Sequence, residues 1–447
     1  MKLFPAIDKF EKSYFSFLLA FLPLSFIAGN LVINSNIILI LLSAILFYRK
    51  KIFSLNYLLI DKLIFSYFFL IIFTGIYNDI QMKIFHEEFS DFRGNFYTTM
   101  KSFLFLKYLL LYLVLRYLID KDILKLKIFF TICSLASVFV CFDIFFQFIN
   151  GKDIFGFVSP GYLNADGRKL GGPFGDELIA GGYIQRFSLF AFFTIPIFYK
   201  NSLNKFQIYI IPFLLIVFII GIILSGNRMP FLLYLALLTL ILLFQKQARK
   251  FFFPLIFLVS ITFFAAFNFN LKVKENFINF YFQINQIKTA LFSNDSSYKN
   301  TPFYIREFAT FYDTWRLNKY IGGGVKNFRY YCHERENIDK NSKFVCNMHP
   351  HNYYLEILTE TGVIGFSILI YIVFVALYMT LYKKYFSKIS LQNNNIIIPF
   401  IFLFFIEMFP IKSTGSFFTT GNSTYLFLIL GVLVGLSQKD NLIEKKI

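Results

Sequence analysis

Cys346-Asn-Met-His349-Pro-His351-Asn-Tyr-Tyr-Leu-Glu356-Ile-Leu-Thr-Glu360-Thr-Gly362 runs directly into Val363-Ile-Gly-Phe-Ser-Ile-Leu-Ile-Tyr-Ile-Val-Phe-Val-Ala-Leu-Tyr-Met-Thr-Leu-Tyr382. The second half is apolar and uncharged, and at about 1.5 Å per residue it reaches across about 30 Å of hydrocarbon. The first half is polar, titratable and rich in helix-starting residues. A histidine pair at the mouth of a membrane helix is an uncommon place for titratable groups. The whole chain has only 4 histidines and two of them stand here, so the chemistry is expected here.

Working outward, the rest of the chain repeats the apolar pattern. Of its 447 residues, 57% are hydrophobic, 21% aromatic and only 16% charged, and the mean hydropathy is +0.60. Soluble domains carry about 25% charged residues, so a soluble fold is excluded. The apolar runs are continuous rather than short and alternating, which excludes a membrane β-barrel. The expected class is an all-α polytopic membrane protein with about 12 transmembrane helices. They are placed near 14–29, 31–48, 58–77, 102–118, 127–149, 178–199, 206–224, 229–245, 251–268, 362–382, 396–411 and 422–437. The first run is expected to be an uncleaved span, since no clear small-residue cleavage site follows it.

The net charge of +18 raises a nucleic-acid reading. Its distribution argues against one, because the basic residues gather where alternate apolar runs end. They are Arg49, Lys50 and Lys51; Lys121, Lys125 and Lys127; Lys200 and Lys205; Lys246, Arg249 and Lys250; Lys383, Lys384 and Lys388; and Lys439, Lys445 and Lys446. All fall on one side if the N-terminus is cytoplasmic, as the positive-inside rule asks. Both termini are then cytoplasmic. Three longer segments, 78–101, 150–177 and 269–361, lie outside. The expected organisation is 1–268 for the first nine spans, 269–361 for a large, partly helical periplasmic loop, and 362–447 for the last three spans and a tail.

Four constellations are candidates for chemistry. Ser225-Gly-Asn227-Arg228-Met-Pro230 reads as a helix start, with Asn227 at the cap and free N–H groups beside the Arg228 guanidinium, an arrangement suited to phosphate. The competing reading is an interfacial arginine reaching for headgroups. In the large loop, Arg306 to Arg316 reads as a short amphipathic helix carrying Trp315. The glycines at 322–324 lack nucleotide-loop spacing and read as a tight turn. His351 precedes Asn352 and a helix start, whose dipole disfavours an imidazolium. A neutral histidine there can act as a general base, or can serve only as a structural hydrogen-bonding residue. Lastly, Gly171 to Arg186 enters a span with charged residues, and Arg186 is expected to pair with Asp176 or Glu177 or to point to the same site.

The cysteines divide into Cys133 and Cys141, read as packing thiols within a span, and Cys332 and Cys346 in the outer loop. A disulfide between the latter two is favoured in an oxidising compartment. The alternative is a metal site using Cys332-His333 and Cys346-x-x-His349, whose spacing is not a standard zinc pattern.

Taken in order, these motifs resemble the O-antigen ligase and polymerase superfamily of bacterial envelope glycosyltransferases. The matching elements are Ser225 to Arg228; Arg306, Trp315 and Gly322 to Val325; and an H-N-x-x-L-x-x-L-x-E-x-G-x-x-G element from His351 to Gly365. The Gly171–Arg186 region looks like the family's glycine-rich entry to an earlier span. The resemblance implies transfer of a preassembled glycan from a polyprenyl diphosphate carrier, such as undecaprenyl diphosphate, to an acceptor, with neither cofactor nor metal. It implies that Arg228 and Arg306 bind the donor diphosphate and that His351 activates the acceptor hydroxyl. Arg316 is an alternative to Arg306, and Arg186, Glu177, His349 and Asn352 are supporting candidates. It places the protein in the bacterial inner membrane with its site facing the periplasm. The leading expectation is O-antigen ligation to lipid A-core. A polymerase extending the glycan on its carrier and a protein O-oligosaccharyltransferase share the donor chemistry. A lipid-linked glycan flippase or transporter is the non-enzymatic alternative, disfavoured because the notable charges gather outside rather than along the midplane.

Overall fold

The computed structural model describes residues 5–85, 96–158, 169–199, 207–246, 252–269, 271–292, 303–332, 346, 349–387, 394–412 and 415–444. Lys200, Lys205, Arg249, Lys250, Lys388, Lys445, Lys446 and His333 lie outside them. Among the described residues the secondary structure is helical, with no strand beyond an isolated bridge between Lys152 and Val158. The helices are α1 (Pro5–Ala28), α2 (Asn30–Tyr48), α3 (Leu59–Phe85), α4 (Tyr97–Asp120), α5 (Leu126–Asn150), α6 (Ala180–Phe187), α7 (Leu189–Phe198), α8 (Gln207–Leu224) and α9 (Arg228–Phe244). They continue as α10 (Phe252–Phe269), α11 (Leu271–Phe292), α12 (Phe303–Trp315), α13 (Phe328–Tyr331), α14 (Tyr353–Leu377), α15 (Ile398–Glu407) and α16 (Thr420–Glu444).

Each expected run falls on a helix or a helix pair, but among the described residues 7 helices are long and apolar enough to cross a membrane, or up to 8 if the bent pair α10–α11 is one span. The differences have local causes. The run near 178–199 is divided at Ser188, and the run near 396–411 keeps only ten helical residues because Met408-Phe-Pro410 leaves the helical path. The segment after 269 is helical from Leu271, where α11 turns 108° from α10.

The interior is centred on α16. It lies along α4, which in turn packs on α3, and α14 also packs along α3. Of the most apolar stretch of α16, 83% is buried, against 33% for α14, so α16 is central and α14 peripheral. Gly431 and Gly435 set that closeness: a Cβ there would come within 3.2 Å of Leu115 and 3.1 Å of Ile119. Small residues at such contacts let membrane helices approach without a hydrophobic driving force.

One end of this core is fastened by buried charge. Arg116 on α4 bonds the Asp61 carboxylate on α3 and the Gln438 amide on α16, and the Tyr112 hydroxyl donates to Asp61 at 2.6 Å. Nearby, Lys439 pairs with Asp122 at 2.7 Å. The opening motif stands at the other end.

Candidate active site at the start of α14

Asn352 makes α14 begin where it does. Its side-chain oxygen accepts the N–H groups of Tyr354 at 2.9 Å and Leu355 at 3.2 Å, satisfying two of the donors a helix start leaves orphaned. Its amide nitrogen donates to the Pro410 carbonyl at 2.8 Å, so the same residue ties α14 to the segment beyond α15. Glu356, in the first turn, accepts from the Ser416 hydroxyl and the Phe417 N–H, both at 2.5 Å.

His351 therefore sits just outside a capped helix, with its side chain 41% exposed. Its Nε2 lies 3.9 Å from a carboxylate oxygen of Glu307, which is fully buried on α12. The His349 ring stands edge-on to it with centroids 5.0 Å apart. Burial, reinforced by His351, Arg329 and Lys326, pushes the His349 imidazole down to about 4, so it is neutral at physiological pH.

Beneath the histidines, Tyr353 leads to a buried ionic cluster. Its hydroxyl donates to Glu407 at 2.8 Å, and Arg186 on α6 donates to the same carboxylate at 2.8 and 3.2 Å. Arg186 also donates to Asn422 at 2.7 Å and lies 4.9 Å over the Tyr425 ring. Lys412 completes the cluster, 2.7 Å from Glu407. Burial lowers its ammonium to about 8, although the Glu407 carboxylate pulls the other way. The cluster thus holds two cations against one carboxylate.

The expected partners of Arg186 are corrected by this arrangement. Asp176 and Glu177 lie on the exposed turn before α6, whereas Arg186 is carried inward to Glu407, which is 1% exposed and needs a counter-charge. Arg186 nevertheless reaches the histidine motif, through Tyr353. Glu177 does not. The helix start at Arg228 is present, with Asn227 at the cap position, but the Asn227 amide turns back to the Ser225 carbonyl at 3.4 Å and caps nothing.

The outer arginines are distributed differently. Arg228 donates to Gln283 on α11 at 2.9 Å and lies 5.6 Å over the Phe280 ring. The turn before it abuts Gly181 on α6, so Arg228 and Arg186 stand on touching elements. Arg306 is half-buried on α12, one residue before Glu307. Arg316 is 61% exposed and 4.0 Å from Asp313, a solvated pair.

The glycine turn does more than reverse the chain. At Gly362 (φ 65, ψ −172) α14 leaves the helical path. The carbonyls of Thr359 and Glu360 then accept from Gly323 at 2.9 Å and Gly324 at 2.8 Å. In exchange, the N–H groups of Val363 and Ile364 donate to Lys319 at 2.9 Å and Tyr320 at 3.2 Å. Two intrahelical bonds are thus replaced by four to an inserted loop. Cys332 and Cys346 are bonded, with Sγ atoms 2.04 Å apart, beside the Phe311–Phe328 stack. Those two cysteines are thereby occupied with each other. Among the described residues no group of three His, Cys, Asp or Glu side chains is arranged to hold a metal.

Sequence reading passed over Glu307, Glu407 and Lys412. A signal was present in two of them, because Glu407 and Lys412 are charges in and beside an apolar run.

Fold and site define a multi-pass helical membrane protein with a polar, basic centre at one end of its bundle. Residues 213–370 match the family model described as O-antigen ligase. This segment contains Arg228, Arg306, Glu307 and His351, and it supports placing the chain in the O-antigen ligase superfamily, whose members are glycosyltransferase-like enzymes. No curated protein matches the chain.

Proposed function

We propose that this protein transfers a glycan from a polyprenyl diphosphate carrier to an acceptor hydroxyl on the periplasmic face of the bacterial inner membrane, with ligation of O-antigen to lipid A-core as the preferred reaction. The observation that carries the reading is an accessible histidine at a capped helix start, within the O-antigen ligase segment that also supplies Arg228 and Arg306. His351 takes the proton of the acceptor hydroxyl, and the oxygen attacks the anomeric carbon. The anomeric C–O bond to the diphosphate breaks, and polyprenyl diphosphate leaves with the electron pair. Arg228 and Arg306 bind the diphosphate and offset the charge that grows on it.

The distribution of charge supports this orientation. Asn422, at the site, and Lys439, at the far end of α16, are 17 residues apart, about 26 Å along a helix. Lys121, Lys125 and Lys439 lie at that far end, which the positive-inside rule makes cytoplasmic.

The test uses purified protein with lipid-linked glycan and lipid A-core, reading release of polyprenyl diphosphate. Release is expected, and His351→Ala should abolish it while donor binding survives. Near-normal transfer by His351→Ala would remove it from the mechanism, and no release with any acceptor would defeat the transferase reading. In a deletion strain, carrier-linked polymer with bare lipid A identifies a ligase, whereas single repeats on lipid A identify a polymerase.

A further inference from the structure

The geometry points to Glu307 as the positioning carboxylate of His351: it faces Nε2 of the ring and offsets the charge that appears when His351 takes the acceptor proton. This rests on the reading of His351 as the base, and it adds a residue that none of the sequence motifs singled out. The observation is a juxtaposition across two helices. Glu307 is wholly buried on α12, His351 is 41% exposed at the start of α14, and their nearest charged atoms are 3.9 Å apart. α12 packs along α14, and His351 stands one residue before the Asn352 cap of α14, so the packing of these helices brings the two groups together.

At 3.9 Å the contact is longer than a hydrogen bond, and charge rather than proton sharing acts across it. With Nε2 turned toward Glu307, Nδ1 is the ring nitrogen left to an acceptor hydroxyl. During transfer the proton passes from that hydroxyl to the imidazole. The remaining groups act in the opposite sense. His349 stands 5.0 Å from the His351 ring, and Arg329 and Lys326, from α13 and the turn before it, add positive charge around the pair. In those surroundings an imidazolium needs a nearby anion, and Glu307 supplies it from α12. The neighbouring Arg306 places a donor-binding side chain and the histidine's partner on one helix.

Glu307→Gln keeps the shape and removes the charge; Glu307→Asp keeps the charge on a shorter arm. With only 4 histidines in the chain, the His351 resonance can be assigned by substitution and titrated in labelled protein. An opposite charge favours the protonated imidazole, so Glu307→Gln should lower the titration midpoint of His351 by about one pH unit or more. The acid limb of the rate profile should move the same way. At the wild-type optimum kcat should fall about 10- to 100-fold, with KM for the lipid-linked donor unchanged. Glu307→Asp should recover most of both effects. An unmoved His351 titration in Glu307→Gln overturns the pairing, and this readout stands even in a protein without activity. If the titration moves but His351→Ala still transfers, the pairing holds and the base assignment is what fails.

Discussion

The buried cluster of Arg186, Glu407 and Lys412 predicts two substitutions of opposite consequence. Their side chains are 14%, 1% and 5% exposed, so neither cation can turn to water when the carboxylate is lost. Glu407→Gln leaves two like charges facing a neutral amide, and breaking a buried pair in this way costs about 3–5 kcal/mol. Lys412→Met removes the surplus cation and leaves Arg186 and Glu407 balanced, so it should be neutral or mildly stabilising at pH 7. At about 2.1 cal/mol/K per residue the unfolding entropy of 447 residues makes 1 kcal/mol worth about 1 °C. Glu407→Gln should therefore lose about 3–5 °C in a thermal melt in lipid nanodiscs, while Lys412→Met holds or gains. The double variant should recover at least about 1 kcal/mol over additivity, as expected of residues sharing one network. Equal losses for the two single substitutions, or a strictly additive double, would refute the charge count.

Two further outcomes concern the same end of the bundle. The His349 imidazole is held at about 4, below the ordinary value near 6.5. Its depressed value means that the unfolded chain takes up the proton first, so its stabilising contribution is complete above about pH 6.5 and is lost as pH falls toward 4. His349→Gln should flatten the melting temperature across that window; parallel slopes in the two proteins would exclude His349 as the cause. Gly362→Ala places a Cβ 2.2 Å from the Tyr320 carbonyl at φ 65, where strain alone costs about 1–3 kcal/mol. It should lower the melting temperature and transfer together, while Gly421→Ala, whose nearest contact would be 3.7 Å, should do neither; equal behaviour of the two would deny Gly362 its special role.

The helices were legible because hydropathy is local: each span of hydrocarbon has to be filled by consecutive residues, and the sequence shows them. The start of α14 was legible for the same reason, since Asn352 caps donors only two and three residues away. Asn227 stands in an equivalent position, yet its side-chain oxygen accepts no N–H of the helix start while its amide nitrogen donates to the Ser225 carbonyl, so position alone did not determine the bond. Arg186 and Glu407 are separated by 221 residues, and nothing near Arg186 announces that partner. Asp176 and Glu177 were the nearest acids in sequence, but the exposed turn that carries them leads away from where α6 takes Arg186. Glu307 was hidden by its own neighbour, because Arg306 already supplied a reason for that helix to matter.

The exchange of bonds at Gly362 explains how an exposed histidine can hold a fixed place. A helix interrupted by a positive-φ glycine would ordinarily strand two carbonyls and two N–H groups, an expensive defect in an apolar setting. Residues 319–324 supply a partner for each of the four, so the interruption becomes the joint by which the outer segment is spliced into α14. The turn has to be glycine for this joint to close, since a Cβ on Gly322 would sit 2.4 Å from the Glu360 carbonyl carbon. On the next faces, Glu356 grips Ser416 and Phe417, and Asn352 grips the Pro410 carbonyl. The Cys332–Cys346 bond then fixes the chain five residues before His351. With the helix anchored on three sides and its approach tethered on the fourth, the imidazole can stay open to an acceptor while its distance to Glu307 is kept by the frame around it.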